Sequence, residues 1–179
     1  PRCELAYNSL KTQPRVVWIY NANSPEYDNT PEGCSNIIFG NRNAKFRLTI
    51  MSNPYCWPCA MMHKHIRDWP GNDVAIQCVF TSFSPDREDI NRFLIAAYQQ
   101  LGEVRAWDLL CRWFEEGREK GVAFFDGLEL DISTEAVNDE FNRHKNWSHG
   151  KPFPGTPTVL VNSHELRPPY SIDDYVYMD

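Results

Sequence analysis

The sequence predicts an α/β fold in which a central sheet carries a helical subdomain inserted on one side. Apolar runs typical of strands occur at 46–51, 74–80 and 156–162. A helix begins where the first run ends, because Pro58 is tolerated in a first helical turn and would cost about 3 kcal/mol inside a helix. Two consecutive amphipathic helices then separate the second run from the third.

Composition and charge exclude several classes of protein. The chain has 179 residues, of which 42% are hydrophobic, so it can bury the core of one ordered domain. The net charge is −6 and the 18 basic residues are dispersed, which excludes the basic stripe of a nucleic-acid-binding protein. No apolar run approaches the ~20 residues of a membrane span, and no signal-type stretch is evident. We therefore expect a mature or excised soluble fragment.

We predict that residues 1–35 form an N-terminal arm and that residues 36–179 form the folded domain. The run VVWIY at 16–20 fits either a strand or one face of a helix, and the residues after it are dense in turn formers. From position 36, NIIFGN (36–41) predicts a short strand and NRNA a turn. FRLTIM (46–51) then predicts a strand that leads into a cysteine motif.

The helix at the cysteine motif is predicted from its apolar spacing. Cys59, Met62, Ile66 and Trp69 lie three or four residues apart, which places them on one helical face, and the helix ends at WPGND. The run VAIQCVF at 74–80 follows as a buried strand.

The segment at about 85–150 is predicted to be an all-helical insertion. Each of its first two helices has one apolar stripe, formed by Ile90, Phe93, Leu94, Ala97, Tyr98 and Leu101, and by Val104, Trp107, Leu110, Cys111 and Phe114. A third helix is predicted over 132–147, capped by Ser133 or Thr134. Its inward side chains are expected to be Val137, Phe141 and His144.

The end of the chain returns to strands. TPTVLVN (156–162) and ELRPP (165–169) are predicted strands joined by a turn at NSH. A short last helix is expected from Ser171. The order along the chain is therefore strand, helix, strand, helical insertion, strand, strand and helix.

The motif SNPYCWPCAMM (52–62) carries the chemistry. Cys56 is expected at the helix N-terminus, where free backbone N–H groups and the helix dipole stabilise a thiolate and lower the pKa of the thiol. The two intervening residues let Cys59 approach Cys56 across the first turn and attack a mixed disulfide formed on it. Trp57 offers a flat apolar surface for a substrate chain. The motif predicts a dithiol oxidoreductase.

Two other interpretations of the motif stay open. Cys56, Cys59 and His63 have the Cys-x2-Cys-x3-His spacing of a zinc site, although a fourth ligand is not evident. Alternatively, the two thiols are only buried packing residues. A cysteine pair at the start of a helix is poorly suited to burial. We expect His63 and His65 to be solvated helix residues without a role, and we predict no metal ligand and no cofactor.

The other four cysteines divide into two pairs. Cys78 lies within an apolar strand and Cys111 on an apolar helical stripe, so both are expected to be small buried hydrophobic residues. Cys3 and Cys34 bracket the turn-rich arm and are candidates for a structural disulfide, which would indicate an oxidising compartment.

The sequence resembles the thioredoxin superfamily at NPYCWPCA (53–60) and, about a hundred residues later, at GTPTVLVN (155–162). The helical block between these motifs is similar to that of the DsbA-like branch. NIIFGNRNAKFRLTIMSNPYCWPC and TPTVLVNSHELRPPYSIDDYVY also resemble the thioredoxin domain that bacteria fuse behind a vitamin K epoxide reductase-type membrane domain. The resemblance covers about residues 36–179 and implies a thioredoxin-like fold with a central mixed sheet and an inserted helical subdomain.

The resemblance also implies roles for individual residues. Cys56 would be the exposed nucleophile and Cys59 the resolving thiol. A cis peptide would join Thr156 to Pro157 beside them, although the sequence alone favours a trans bond. The backbone before that proline would bind an extended substrate, next to Trp57 and Pro58.

One position departs from the family pattern. Many members carry a buried acid six residues before the first cysteine, and Ile50 stands there in this chain. A proton acceptor for the resolving thiol must then come from water or from another residue.

The expected function is thiol–disulfide exchange with cysteine-containing protein substrates, as an oxidant linked to a membrane partner of the vitamin K epoxide reductase type. The expected location is periplasmic or otherwise extracytoplasmic, in the soluble part of a membrane-anchored protein. The alternatives are a disulfide reductase or isomerase, or a peptide-binding module in which the thiols are incidental.

Overall fold

A computed structural model describes residues 2–11 and 13–177. Its centre is a mixed five-stranded sheet with the order β1-β3-β2-β4-β5. The strands are Ile38–Phe39 (β1), Phe46–Ser52 (β2), Val74–Phe80 (β3), Thr158–Val161 (β4) and His164–Glu165 (β5). The predicted α/β class with a central mixed sheet is confirmed.

The two central strands follow directly from their sequences. β2 and β3 pair in parallel from Phe46 opposite Val74 to Ser52 opposite Phe80, and every residue of β3 is buried. A parallel pair covered on both faces requires nearly continuous apolar runs, which both segments have. β4 pairs antiparallel with β2, and β1 pairs antiparallel with β3.

The outer strands are shorter than predicted. The strand predicted at 36–41 covers only Ile38–Phe39 and ends at Gly40, where φ is +86° and an added Cβ would lie 2.7 Å from the carbonyl oxygen of Val74. The strand predicted at 165–169 covers only His164–Glu165. The two prolines that follow, at 168 and 169, have no N–H group to continue the pairing.

The segment between β3 and β4 is helical, as predicted. It contains α4, α5, α6 and α7 at Glu88–Leu101, Glu103–Arg112, Arg118–Lys120 and Glu135–His149, two 3₁₀ turns at Pro85–Arg87 and Gly121–Phe125, and a π turn at Trp113–Gly117. Thr134 caps α7 by accepting a hydrogen bond from the N–H of Val137. None of the helices in the described residues is long and apolar enough to cross a membrane.

The arm is helical and packs on the sheet. Its helices are α1 (Arg2–Lys11) and α2 (Pro14–Ala22), so the run at 16–20 is a helix, begun by a proline in its first turn. Val17 is fully buried in the main core, and the ring of Trp18 stacks on Phe46 with 5.7 Å between ring centroids. The domain boundary at 35/36 stays a prediction.

Cys3 and Cys34, the candidates for a structural disulfide, are not paired in this structure. All six cysteines lie in the described residues and are free thiols. Cys34 is fully buried in a second apolar cluster with Met51, Val79 and Leu160, whereas Cys3 is exposed on α1, which packs on α2. Cys34, Cys78 and Cys111 are buried, the last two as predicted.

Hydrogen bonds hold the arm in place of a disulfide. The Asn29 amide donates to Thr49 Oγ1 at 2.9 Å, and Thr49 Oγ1 donates to Gln77 Oε1 at 2.7 Å. The Gln77 amide in turn donates to the carbonyl oxygens of Asn29 and Ser35. Thr49 and Gln77 face each other across β2 and β3, so the network joins the arm to the middle of the sheet.

A second buried network joins α7 to the sheet. The Phe80 N–H donates to His144 Nδ1 at 3.2 Å, so the proton of the neutral imidazole is on Nε2, 2.8 Å from Ser35 Oγ and 3.1 Å from Glu140 Oε1. Glu140 also accepts from the N–H of Asn36 at 2.6 Å and pairs with Arg143. Burial alone would raise the pKa of Glu140, but hydrogen bonds from His144 and Asn36 hold it below its ordinary value.

We expect Glu140→Gln to destabilise the fold by about 1–3 kcal/mol, because an amide leaves buried hydrogen-bond partners of the carboxylate unsatisfied. The lowered pKa of Glu140 means that its stabilisation is present above about pH 4.5 and is lost as the carboxylate protonates. Urea unfolding at pH 7 and at lower pH measures both effects, and the gap between variant and wild type should narrow in acid. The exposed Glu119→Gln is the control, and equal losses in the two variants would contradict the prediction.

Candidate active site

The cysteine motif lies where β2 meets the helix α3 (Trp57–His65). The carbonyl and side-chain oxygens of Asn53 accept hydrogen bonds from the N–H groups of Cys56 at 3.0 Å and Tyr55 at 2.9 Å, which closes the turn. Cys56 is the N-cap of α3 and is half-buried, with no capping side chain competing for the free N–H groups. The predicted helix start at the motif is confirmed, and the Cys56 sulfur lies at the positive end of the helix dipole.

The second motif lies against the first. The peptide between Thr156 and Pro157 is cis, as the resemblance implied and against the preference of the sequence alone. The Cys56 thiol donates to the carbonyl oxygen of Thr156, with 3.4 Å between Sγ and oxygen. Cys56 and Thr156 are 100 residues apart in the sequence. They come together because Met51 of β2 pairs with Thr158 of β4.

The two thiols have opposite electrostatic environments. Partial burial would raise the pKa of Cys56, but hydrogen bonds with Thr156 and Cys59 and the charge of Arg118 outweigh it, so this pKa is lowered. Cys59 is fully buried, and burial together with its hydrogen bond to Cys56 raises its pKa. Cys56 is therefore the thiol that ionises, and Cys59 stays protonated beside it.

The remaining predicted site residues surround Cys56. Trp57 is 63% exposed and Pro58 is exposed on the first turn of α3, while Thr156 and Pro157 are half-buried. Next to the Cys56 sulfur, the surfaces of Trp57 and Pro58 are thus open to a polypeptide, and those of Thr156 and Pro157 are partly open. Their role in substrate binding stays a prediction.

His63 is not solvated, which corrects the sequence-based expectation. It is fully buried, its Nε2 lies 3.0 Å from Ser52 Oγ, and its ring stacks on Phe114 at 4.4 Å. Burial lowers the pKa of His63 to about 3, so the ring is neutral. His65 is exposed and pairs with Asp173 at 2.8 Å. The signal for burial was present in the sequence, because His63 follows Cys59 by four residues and shares its helical face.

The zinc interpretation finds no support in this geometry. In the part of the chain that the structure describes, no three His, Cys, Asp or Glu side chains form a group that would hold a metal ion. Nε2 of His63 already lies 3.0 Å from Ser52 Oγ.

Ile50 is fully buried in the core beside the motif. The groups that shift the pKa of Cys59 are Cys56, Asn53 and Thr156, and none of them is a carboxylate. The departure from the family pattern therefore holds in three dimensions.

Arg118 was not predicted from the sequence. This residue belongs to α6 in the helical insertion, and its charge contributes to the lowered pKa of Cys56. No local motif marks Arg118, because it lies 62 positions after Cys56 in the sequence.

The order of the sheet, the cysteine pair at the start of α3 and the cis-proline beside it define a thioredoxin fold. The helical segment between β3 and β4 makes it the DsbA-like form of that fold. Comparison with solved structures agrees. BdbD of Bacillus subtilis aligns with a TM-score of 0.61 at 13% identity, over 80% of this chain and 89% of that one.

Two further structures are similar. The oxidoreductase DsbA of Xylella fastidiosa aligns with a TM-score of 0.59 at 19% identity, over 84% of this chain and 89% of its own. The catalytic domain of ScsC from Proteus mirabilis aligns with a TM-score of 0.58 at 14% identity, over 77% of this chain and 81% of its own. No family model matches the chain, and no curated protein matches it. The likeness therefore concerns the fold.

We expect iodoacetamide to modify Cys56 far faster than Cys59 at pH 7, because only the thiolate reacts and only the pKa of Cys56 is lowered. Mass spectrometry of the alkylated protein, followed over a series of pH values, measures both rates. Cys56 should titrate below the ordinary thiol value. Equal labelling of the two cysteines in the folded protein would contradict this order.

We expect His63 to make the fold sensitive to mild acid. Its pKa is about 3 when folded and about 6.5 when unfolded, so the unfolded chain binds more protons between these values and stability falls as pH is lowered through this window. The contribution is on the order of 1.4 kcal/mol per pH unit. Urea unfolding of wild type and His63→Gln at pH 7 and pH 5 measures it, and parallel losses would show that His63 does not titrate as described.

Proposed function

We propose that this protein is a thiol–disulfide oxidoreductase that acts on cysteines of other proteins. The observation that carries the proposal is the asymmetry of the pair: an accessible Cys56 with a lowered pKa, 3.4 Å from the Thr156 carbonyl, and a buried protonated Cys59 behind it. An accessible low-pKa thiol is both a nucleophile and a good leaving group. The DsbA-like fold supports the same activity by analogy.

The exchange runs in two balanced steps. In the oxidised protein, a client thiolate attacks Sγ of Cys56, the Cys56–Cys59 bond breaks, and Cys59 leaves and takes up a proton. A second client thiolate then attacks the client sulfur of the mixed disulfide, and Cys56 leaves as a thiolate. Counted from its two thiols, the client loses two electrons and two protons; the pair gains both electrons and one proton, on Cys59, and the other proton goes to the solvent.

Substrate binding is proposed at the surface formed by Trp57, Pro58, Thr156 and Pro157. An extended client segment would lie along the backbone of Thr156, next to β4, and form main-chain hydrogen bonds as an added strand. The exposed ring of Trp57 supplies apolar contact area that fits many sequences. Main-chain recognition of this kind suits an enzyme with varied clients.

We propose that the protein works as an oxidant, outside the cytoplasm, with a membrane partner of the vitamin K epoxide reductase type that reoxidises the pair. The lowered pKa of Cys56 supports this direction, because a stabilised thiolate favours the reduced pair and makes the disulfide more oxidising. The resemblance of both sequence motifs to such fused domains supports the partner.

We expect Cys59→Ala to accumulate mixed disulfides with client proteins on Cys56, because the resolving thiol is gone. Cys56→Ser should trap none and should lose activity. Non-reducing electrophoresis followed by mass spectrometry of the trapped species measures both. Cys111→Ala is the matched control, since it removes another thiol, which is buried.

Two outcomes separate the alternatives. A Cys56→Ser variant with full biological activity would favour the peptide-binding module. For a protein that does exchange disulfides, the reduction potential in glutathione buffers gives the direction: a value toward about −120 mV indicates an oxidant, and one near about −270 mV a reductase.

A further inference from the structure

A cleft of about 270 Å³ lies beside the cysteine pair, between α3 and the π turn with α6. One face of α3 forms one wall, with Trp57, Met61 and Lys64 spaced at helical intervals. Arg118 lies on the opposite wall. The cleft therefore begins at Trp57, which it shares with the substrate surface proposed above, and runs along α3 away from the remainder of that surface.

The charge of the cleft is opposite to that of the whole chain. Three cations, Lys64, Arg67 and Arg118, line it with one acid, Glu115, whereas the net charge of the protein is −6. Arg67 is neutralised, because it pairs with Glu115 and lies 3.8 Å from Asp108. Lys64 and Arg118 have no ion-pair or hydrogen-bond partner among residues 2–11 and 13–177. Two unpaired cations in an acidic protein indicate a local site for an anion.

Two other features of the cleft fit a polypeptide with a carboxylate. Trp57 and Met61 are 63% and 46% exposed, so the cleft has apolar surface beside its cations. His63 also lines it, is fully buried, and has an Nδ1 atom without a hydrogen-bond partner among the described residues. Buried polar atoms are usually paired, so this nitrogen is a polar group at the wall of the cleft that no other described side chain satisfies.

We propose that the cleft binds an acidic side chain of the client polypeptide, three or four residues from the cysteine that reacts with Cys56. The inference rests on the proposed function and adds a sequence preference to it. Lys64 and Arg118 hold the carboxylate, while Trp57 and Met61 cover the intervening client residues. The pair then selects cysteines that have Asp or Glu nearby.

The spacing follows from helix and strand dimensions. From position 56 to position 64, α3 rises by about 12 Å at 1.5 Å per residue. An extended client advances about 3.3 Å per residue, so three or four client residues cover this distance. Arg118 lines the same cleft and its charge contributes to the lowered pKa of Cys56, so the cleft begins near the reacting sulfur.

Single-turnover exchange with short peptides tests the proposal. Each peptide carries one cysteine as a disulfide with thionitrobenzoate, and either Asp or Asn at the fourth position before or after it. In the Cys59→Ala protein, the Cys56 thiolate attacks the peptide sulfur, the disulfide breaks, and the coloured thionitrobenzoate anion leaves. We expect the Asp peptide to react about threefold to tenfold faster than its Asn partner on one side of the cysteine, and less so at high salt.

Variants assign this preference to the cleft. Lys64→Gln with Arg118→Gln should bring the Asp-to-Asn rate ratio to about one, whereas Lys120→Gln with Arg105→Gln removes the same charge from positions outside the cleft and should keep the ratio. The ratio within one variant is independent of changes in Cys56 reactivity. Equal rates for Asp and Asn peptides in wild type, or a ratio that survives in the cleft variant, would overturn the inference. No reaction with any peptide would instead count against the proposed function.

Discussion

The pairing of β2 with strands on both sides is the constraint on which the site depends. β2 lies between β3 and β4, and its register is fixed from Phe46 opposite Val74 to Met51 opposite Thr158. A shift of one residue would turn its buried side chains to the other face of the sheet. Because β2 ends at Ser52 and β4 begins at Thr158, the same register places Cys56 beside Thr156. The reactive geometry is therefore a consequence of sheet pairing rather than of the cysteine motif alone.

The two cysteines differ chemically because they lie three positions apart on α3. Cys56 caps α3 and reaches its surface, whereas Cys59 lies one turn later on the face that joins the core. Burial disfavours the thiolate of Cys59, and the thiolate of Cys56 gains hydrogen bonds and a nearby cation. Ile50 is buried and apolar, and the groups named among the described residues as shifting the pKa of Cys59 include no carboxylate. The asymmetry of the pair is thus set by helix geometry and by hydrogen bonds with Thr156 and Cys59, with a smaller contribution from the charge of Arg118.

The sequence was sufficient for the features that depend on periodicity. Continuous apolar runs predicted β2 and β3, apolar stripes predicted the helical insertion, and Pro58 predicted the start of α3. The features that were not predicted depend on contacts between residues that are far apart in the sequence. His63 is buried because Phe114 stacks on its ring and Ser52 lies against its Nε2, and Arg118 approaches Cys56 only in the folded chain. The sequence could not show whether Cys3 and Cys34 pair, because the separation of two cysteines along the chain does not give the distance between their sulfur atoms.

The helical insertion supports α3 along its whole length. The Trp113 indole donates to the carbonyl oxygen of Pro54 at 2.9 Å, just before the helix, and the Trp107 indole donates to that of Arg67 at 2.7 Å, just after it. Phe114 stacks on His63 between them. An added Cβ at Gly117 would lie 2.6 Å from the Trp113 ring, so a glycine is needed where the π turn closes over this indole. The residues that fix the position of the reactive helix therefore also fix the walls of the charged cleft, and neither can move without the other.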